Sequence, residues 1–128
     1  NLTNLKFLYL TANDIKFFAQ NSINGLHNLK ELELSTLYEN YNLVFFRKID
    51  ENNNEKIKNQ LPYGLFSELK NLETLNLSGN KIELIDINVF ENLINLKTLD
   101  LSDNQISIID FQTFNGLVNL KNLKLGYN

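Results

Sequence analysis

Cysteine is absent from this chain of 128 residues, and histidine occurs once, at His27. Those two facts exclude a disulfide framework, a thiolate metal site, a cysteine nucleophile and any centre built on two imidazoles. There is no G-x-S-x-G elbow, no Walker-type glycine loop and no H-E-x-x-H pair. The expectation is therefore no catalytic residue, no cofactor and no metal. Lys plus Arg is 12 against 15 for Asp plus Glu, a net charge of −3. That balance gives no electrostatic footprint for nucleic acid or for an anionic membrane, so neither is expected as a partner. No stretch approaches the ~18 apolar residues of a membrane span. Two sequons, Asn1-Leu2-Thr3 and Asn76-Leu77-Ser78, could carry N-linked sugar on a secretory route. The chemistry left is that of a contact surface, and its residues are found through the elements that must hold them.

Those elements repeat. Leu and Asn each make up roughly one residue in five, where asparagine is ordinarily far scarcer. Leu5, Leu8, Leu10, Asn13, Ile15, Phe18, Ile23 and Leu26 set a pattern that restarts at Leu29, Leu72, Leu96 and Leu120. The steps 5→29, 72→96 and 96→120 are each 24 residues; the step 29→72 is 43, so that copy carries 19 extra. L-x-L alternation is that of a short strand with one buried face. Leu8 and Leu10, Leu32 and Leu34, Leu75 and Leu77, Leu99 and Leu101, and Leu123 and Leu125 should point inward. The regular register predicts strands near 75–77, 99–101 and 123–125. One copy cannot bury its own apolar face, but stacked copies bury a shared one.

Asn13, Asn80, Asn104 and Asn128 follow the strands, where a sharp turn leaves backbone groups in need of a short amide. Leu37 breaks that column in the second copy. Phe66, Phe90 and Phe114 recur in one register, with Ile23 in the first copy, and predict an aromatic column. Asp86 and Asp110, four residues earlier, are candidate caps of a convex turn. Gly25, Gly116 and Asn92 mark a candidate left-handed position closing it. His27 occupies a position filled elsewhere by Lys70, Ile94 and Val118, which reads as a solvated rim.

The pattern L-x-x-L-x-L-x-x-N with its recurring phenylalanine resembles the leucine-rich repeat family, in the 24-residue form seen in extracellular receptors such as Toll-like receptor ectodomains. The resemblance covers the chain apart from the insertion, and Leu61-Pro62-Tyr63-Gly64-Leu65-Phe66 returns to the family's L-P-x-G-x-F. It implies an α/β fold: a solenoid with a parallel sheet on its concave face, and loops and short helical turns on its convex face. The organisation expected is one segment, residues 1–128. It holds three full regular repeats, one repeat with an insertion at about 37–60, and one partial C-terminal repeat. Both ends read as cut, so a fragment of a longer array is expected.

Between the inward leucines, the outward residues form columns that vary from copy to copy. The third and fifth positions carry Phe7, Glu31, Thr74, Thr98, Asn122 and Tyr9, Glu33, Asn76, Asp100, Lys124. Aromatics and acids on an open sheet suit a protein partner. The expected partner-binding residues are Phe7, Tyr9, Glu31, Glu33, Asp100 and Asp103. The alternative is the insertion, through Tyr41, Phe45 and Phe46, in a run too apolar for a fully solvated loop. The expected function is non-catalytic recognition of a macromolecule, as the protein-binding part of an extracellular receptor or secreted protein. The alternative is an intracellular, cytoplasmic scaffold, which the absence of cysteine suits.

Overall fold

A computed structural model describes residues 2–13, 15, 18–19, 21–36, 47–48 and 58–128. The chain winds through about four turns of a solenoid. Its strands, in chain order, are β1 (Phe7–Tyr9), β2 (Glu31–Glu33), β3 (Arg47–Lys48), β4 (Lys58–Leu61), β5 (Thr74–Asn76), β6 (Leu84–Ile85), β7 (Thr98–Asp100) and β8 (Asn122–Lys124). Five of them form one parallel sheet in the order β1-β2-β5-β7-β8. The register follows the repeat: Leu8 pairs with Leu32, Leu32 with Leu75, Leu75 with Leu99 and Leu99 with Leu123. β2 and β5 pair directly although the insertion separates them in sequence.

Each strand begins one residue before the first leucine of its L-x-L, slightly earlier than the sequence suggests. Pairing nonetheless continues beyond the strand, because Leu77 N–H donates to the Asp100 carbonyl (2.9 Å) and Gly79 N–H to that of Ser102 (3.1 Å). The inward leucines of the inner coils are buried, as the alternation requires: Leu32, Leu34, Leu75, Leu77, Leu99 and Leu101. On the outermost strands Leu8 is half-buried and Leu123 is exposed, since each has a coil on one side only.

No helix is present among the described residues. The convex side is built of successive tight turns, such as Leu69 N–H to the Phe66 carbonyl and Leu93 N–H to that of Phe90. Phe66, Phe90 and Phe114 stack beneath those turns at 6.0 and 6.3 Å between ring centroids, with interplanar angles of 12° and 7°. Asp110 caps its own turn by accepting from Gln112 N–H at 2.8 Å. Asp86 does otherwise: it accepts from Tyr63 N–H (2.9 Å) and from the Gln60 amide, tying its coil to the one before.

The left-handed position behaves differently from the sequence expectation. Gly25 and Gly116 take positive φ, but Asn92 does not. At Gly116 the reason is spatial as well as torsional, because a Cβ there would overlap the Glu91 carbonyl of the preceding coil. A second left-handed position lies immediately before the ladder asparagine, at Ala12, Gly79, Asp103 and Tyr127. There the sharp turn out of the strand sets the backbone, whatever the residue type.

The end of the insertion is built into the solenoid. Its return, β4, pairs antiparallel with β3 and in parallel with β6, making a second, three-stranded sheet. Asn59 and Gln60 are buried, and Asn59 Nδ2 donates to the Asn80 carbonyl at 2.7 Å. Residues 58–60, counted with the insertion on sequence grounds, are thus built into the solenoid. Leu37, Tyr41, Phe45 and Phe46 lie outside the described residues.

Candidate recognition face

The ladder asparagines hold the turn that ends each concave strand. Asn104 Nδ2 donates to the carbonyls of Leu77, Leu101 and Ser102, at 3.0, 2.9 and 3.1 Å. Its Oδ1 accepts from the N–H groups of Asn80 and Ile82, at 3.1 and 3.0 Å. Asn80 donates likewise to Leu34, Leu77 and Ser78. Asn128 spans Leu101 and Leu125 and accepts from Ile106 N–H. Asn80 Oδ1 has no partner among the described residues. Asn13, in the first coil, is exposed and among the described residues makes one long bond, to the Thr11 carbonyl at 3.4 Å.

A second asparagine ladder runs on the opposite approach to the strands. Asn28, Asn71, Asn95 and Asn119 each donate Nδ2 to a carbonyl of the preceding coil: Thr3 (2.8 Å), His27 (2.8 Å), Lys70 (2.9 Å) and Ile94 (2.7 Å). The signal was available in the Asn-Leu pair that opens every repeat, but the chain's abundance of asparagine hides it. From β2 to β8 the coils are thus clamped by amides at both ends of the strands, and Asn28 ties β1 to β2 at the N-terminal end, which fixes the outward columns between them.

On those columns the structure sorts the expected contact residues into two groups. In the C-terminal strands, charge is neutralised within the face. Asp100 is buried, and Lys124 Nζ reaches it at 2.8 Å while Ser102 donates through N–H (3.0 Å) and Oγ (2.6 Å). Burial pushes the Asp100 carboxyl up, but Lys124 and Ser102 together hold it below its ordinary value. Asp100 raises the Lys124 amine in turn. Glu73 bridges Lys30 (2.6 Å) and Lys97 (2.5 Å), across three neighbouring strands. Hydrogen bonds from those two amines, reinforced by their charge, hold the Glu73 carboxyl down to about 2.

The N-terminal strands differ. Phe7 and Tyr9 are exposed, at 48% and 60%, and the β1–β2 register sets them opposite Glu31 and Glu33. Tyr9 Oη donates to Glu31 Oε2 at 2.6 Å, which raises the phenol's pKa. Asp103 is exposed at the end of its strand, apart from this group. Asn76 lies in the fifth column between Glu33 and Asp100, and its Oδ1 accepts from Ser78 N–H at 2.9 Å. Asn1 lies outside the described residues. His27 sits on the rim, exposed, with Nδ1 3.7 Å from Glu68 Oε2. No described helix is long and apolar enough to cross a membrane.

The Glu73 bridge predicts a pH effect. A carboxyl whose folded pKa is depressed adds stability above its unfolded value, near 4.5, and loses it as pH falls through about 2. The melting temperature of the chain should therefore exceed that of Glu73→Gln at pH 6, and the gap should close between pH 5 and pH 2. Parallel curves over that range would contradict the bridge.

Comparison with known proteins agrees with this geometry. The family model described as leucine rich repeat matches residues 51–106 and 70–128. The leucine-rich repeat domain of APL1B superposes with a TM-score of 0.75 at 20% identity, over 96% of this chain and 31% of that one. TLR13, solved in complex with the single-stranded RNA ssRNA13, superposes with a TM-score of 0.68 at 34% identity, over 99% of this chain and 19% of that one. This chain thus spans less than a third of either. Among curated proteins no match was found. The matched residues 51–128 make up more than half of the chain, and the same leucine and asparagine register runs back through Leu29 and Leu5, so the chain belongs to the leucine-rich repeat family.

Proposed function

We propose that this chain is a protein-binding recognition module that works through its concave face, as part of an extracellular receptor or secreted binding protein. One observation carries the reading: the inward leucines repeat unchanged while the outward columns vary along the sheet, and two of those outward residues are exposed aromatics, Phe7 and Tyr9. The clamped strands offer a rigid platform, which lowers the ordering cost of binding. The extracellular setting draws on the 24-residue repeat with its phenylalanine column and on the likeness to TLR13. TLR13 is bound to RNA in its solved complex, whereas the net charge of −3 here favours a protein.

The test starts from binders selected out of a displayed random peptide library. Tyr9→Ala and Glu33→Ala should each weaken binding by about 1 kcal/mol or more, with Phe45→Ala and Phe46→Ala near neutral. Loss confined to the second pair would move the site to the insertion. The cellular setting has its own readout. When the protein is secreted by eukaryotic cells, mass analysis of its peptides should find sugar on Asn1 and none on Asn76. Asn76 lies on a strand, its Oδ1 accepts from Ser78 N–H, and a glycan on its Nδ2 would cover Glu33 and Asp100. Secreted material without any sugar would favour the second reading, an intracellular scaffold, which the absence of cysteine supports.

A further inference from the structure

We propose that β1 and β2 form a slot for one cationic side chain of the partner, an arginine above all, lying against Phe7 and Tyr9 with its charge on Glu33. The proposal rests on the concave reading above and narrows it to one end of the sheet and one ligand chemistry.

The acids of the concave face are not equivalent. Glu73 is spent on Lys30 and Lys97, and Asp100 on Lys124 and Ser102. Glu31 accepts the Tyr9 hydroxyl. Glu33 has neither an ion pair nor a side-chain hydrogen bond among the described residues, although it lies in the same column as Asp100. The cation nearest to it by column, Lys124, is held by Asp100. The face therefore keeps a net negative charge at β2 and is neutralised further along.

That charge lies beside aromatic surface. The parallel register pairs Tyr9 with Glu33 and Phe7 with Glu31 on adjacent strands, about 4.8 Å apart. Two rings on one strand thus face two carboxylates on the next. The Tyr9–Glu31 hydrogen bond runs diagonally between them and fixes the ring across the strands. Ring faces attract cations, and a carboxylate beside them adds a charge-assisted hydrogen bond. A guanidinium meets both demands, because it is flat enough to lie on a ring and carries donors in its plane for the carboxylate. Lys6 does not fill this role: it belongs to the outer column of Lys30, Glu73 and Lys97.

The test uses the chain as it stands and two capped pentapeptides, Gly-Leu-Arg-Leu-Gly and the same peptide with glutamine at the centre. In an NMR titration the arginine peptide should shift the ring resonances of Phe7 and Tyr9 and bind about fivefold or more tighter than the glutamine peptide. Glu33→Gln should cut that preference to about twofold or less, with the strand resonances of β5 and β7 unchanged. Equal binding of both peptides at these rings would overturn the cation slot and leave the concave face as the recognition surface. Arginine-dependent shifts elsewhere, or no shifts on β1 and β2, would overturn the slot as well. The library binders separate the two claims. Binders that need Tyr9 without an excess of Arg or Lys would sink the slot alone, and binders indifferent to both Tyr9 and Glu33 would sink it together with the concave reading.

Discussion

Phe90→Ala should destabilise the chain by about 3–5 kcal/mol, among the largest effects of any single substitution. Phe90 is fully buried, at 0% exposure, and is the middle ring of the column, 6.0 Å from Phe66 and 6.3 Å from Phe114. Truncation removes the transfer energy of the ring and leaves a cavity that the tight turns above cannot close, because Leu93 N–H and the Phe90 carbonyl pin them. It also removes both stacking contacts, each worth about 0.5–1.5 kcal/mol beyond area burial. Phe90→Leu should recover most of the loss by refilling the space. Phe114→Ala should cost clearly less, since Phe114 is half-buried with one ring neighbour among the described residues. Denaturant melts of the three variants test the order. Equal losses at Phe90 and Phe114 would show that burial, and with it the stacked column, does not set the cost.

The phenylalanine column and the concave register were legible because both come from repetition: identical residues 24 apart must meet when identical coils stack. What repetition does not carry was missed. The return strand β4 pairs with β6 one repeat on, Leu61 with Ile85, but nothing in Lys58-Asn59-Gln60-Leu61 alternates, so on sequence grounds Lys58–Gln60 count with the insertion and the second sheet goes unseen. Asp86 and Asp110 share a register yet cap different coils, because Asp86 finds Tyr63 N–H and Gln60 beside it. The same limit applies to the candidate face. Glu33 and Asp100 occupy one column and looked equivalent. Whether either is neutralised depends on its neighbours on adjacent strands, and only Asp100 has a lysine there. The column told which residues point outward, and the structure told which of them still carry unspent charge.

Asn104→Ala should cost about 3–5 kcal/mol, although it removes only one small polar side chain. Its amide answers three carbonyls and two N–H groups drawn from two coils, and the residue is 7% exposed. Alanine fills none of those bonds, and each buried group left without a partner costs about 1–3 kcal/mol. Water could relieve part of this only by opening the packed turn between Ser102 and Ile106. Asn104→Asp is the sharper variant. It keeps the shape and the two accepted bonds, but replaces the NH2 donor by an oxygen facing the carbonyls of Leu77, Leu101 and Ser102. It should therefore lose at least as much as alanine at neutral pH. The aspartate carboxyl should take up a proton on folding, so the deficit should shrink as pH is lowered towards 4. Asn13→Ala provides the contrast: Asn13 is exposed and makes one bond of 3.4 Å among the described residues, so its loss should stay within about 0.5 kcal/mol. Denaturation of Asn104→Ala and Asn13→Ala by equal margins would mean that the ladder's bonds contribute nothing beyond the turn itself. A wide gap would place the hold between the coils of β5 and β7 in these amides, and by the same bonds Asn80 would hold to β5 the β2 coil that presents Glu33.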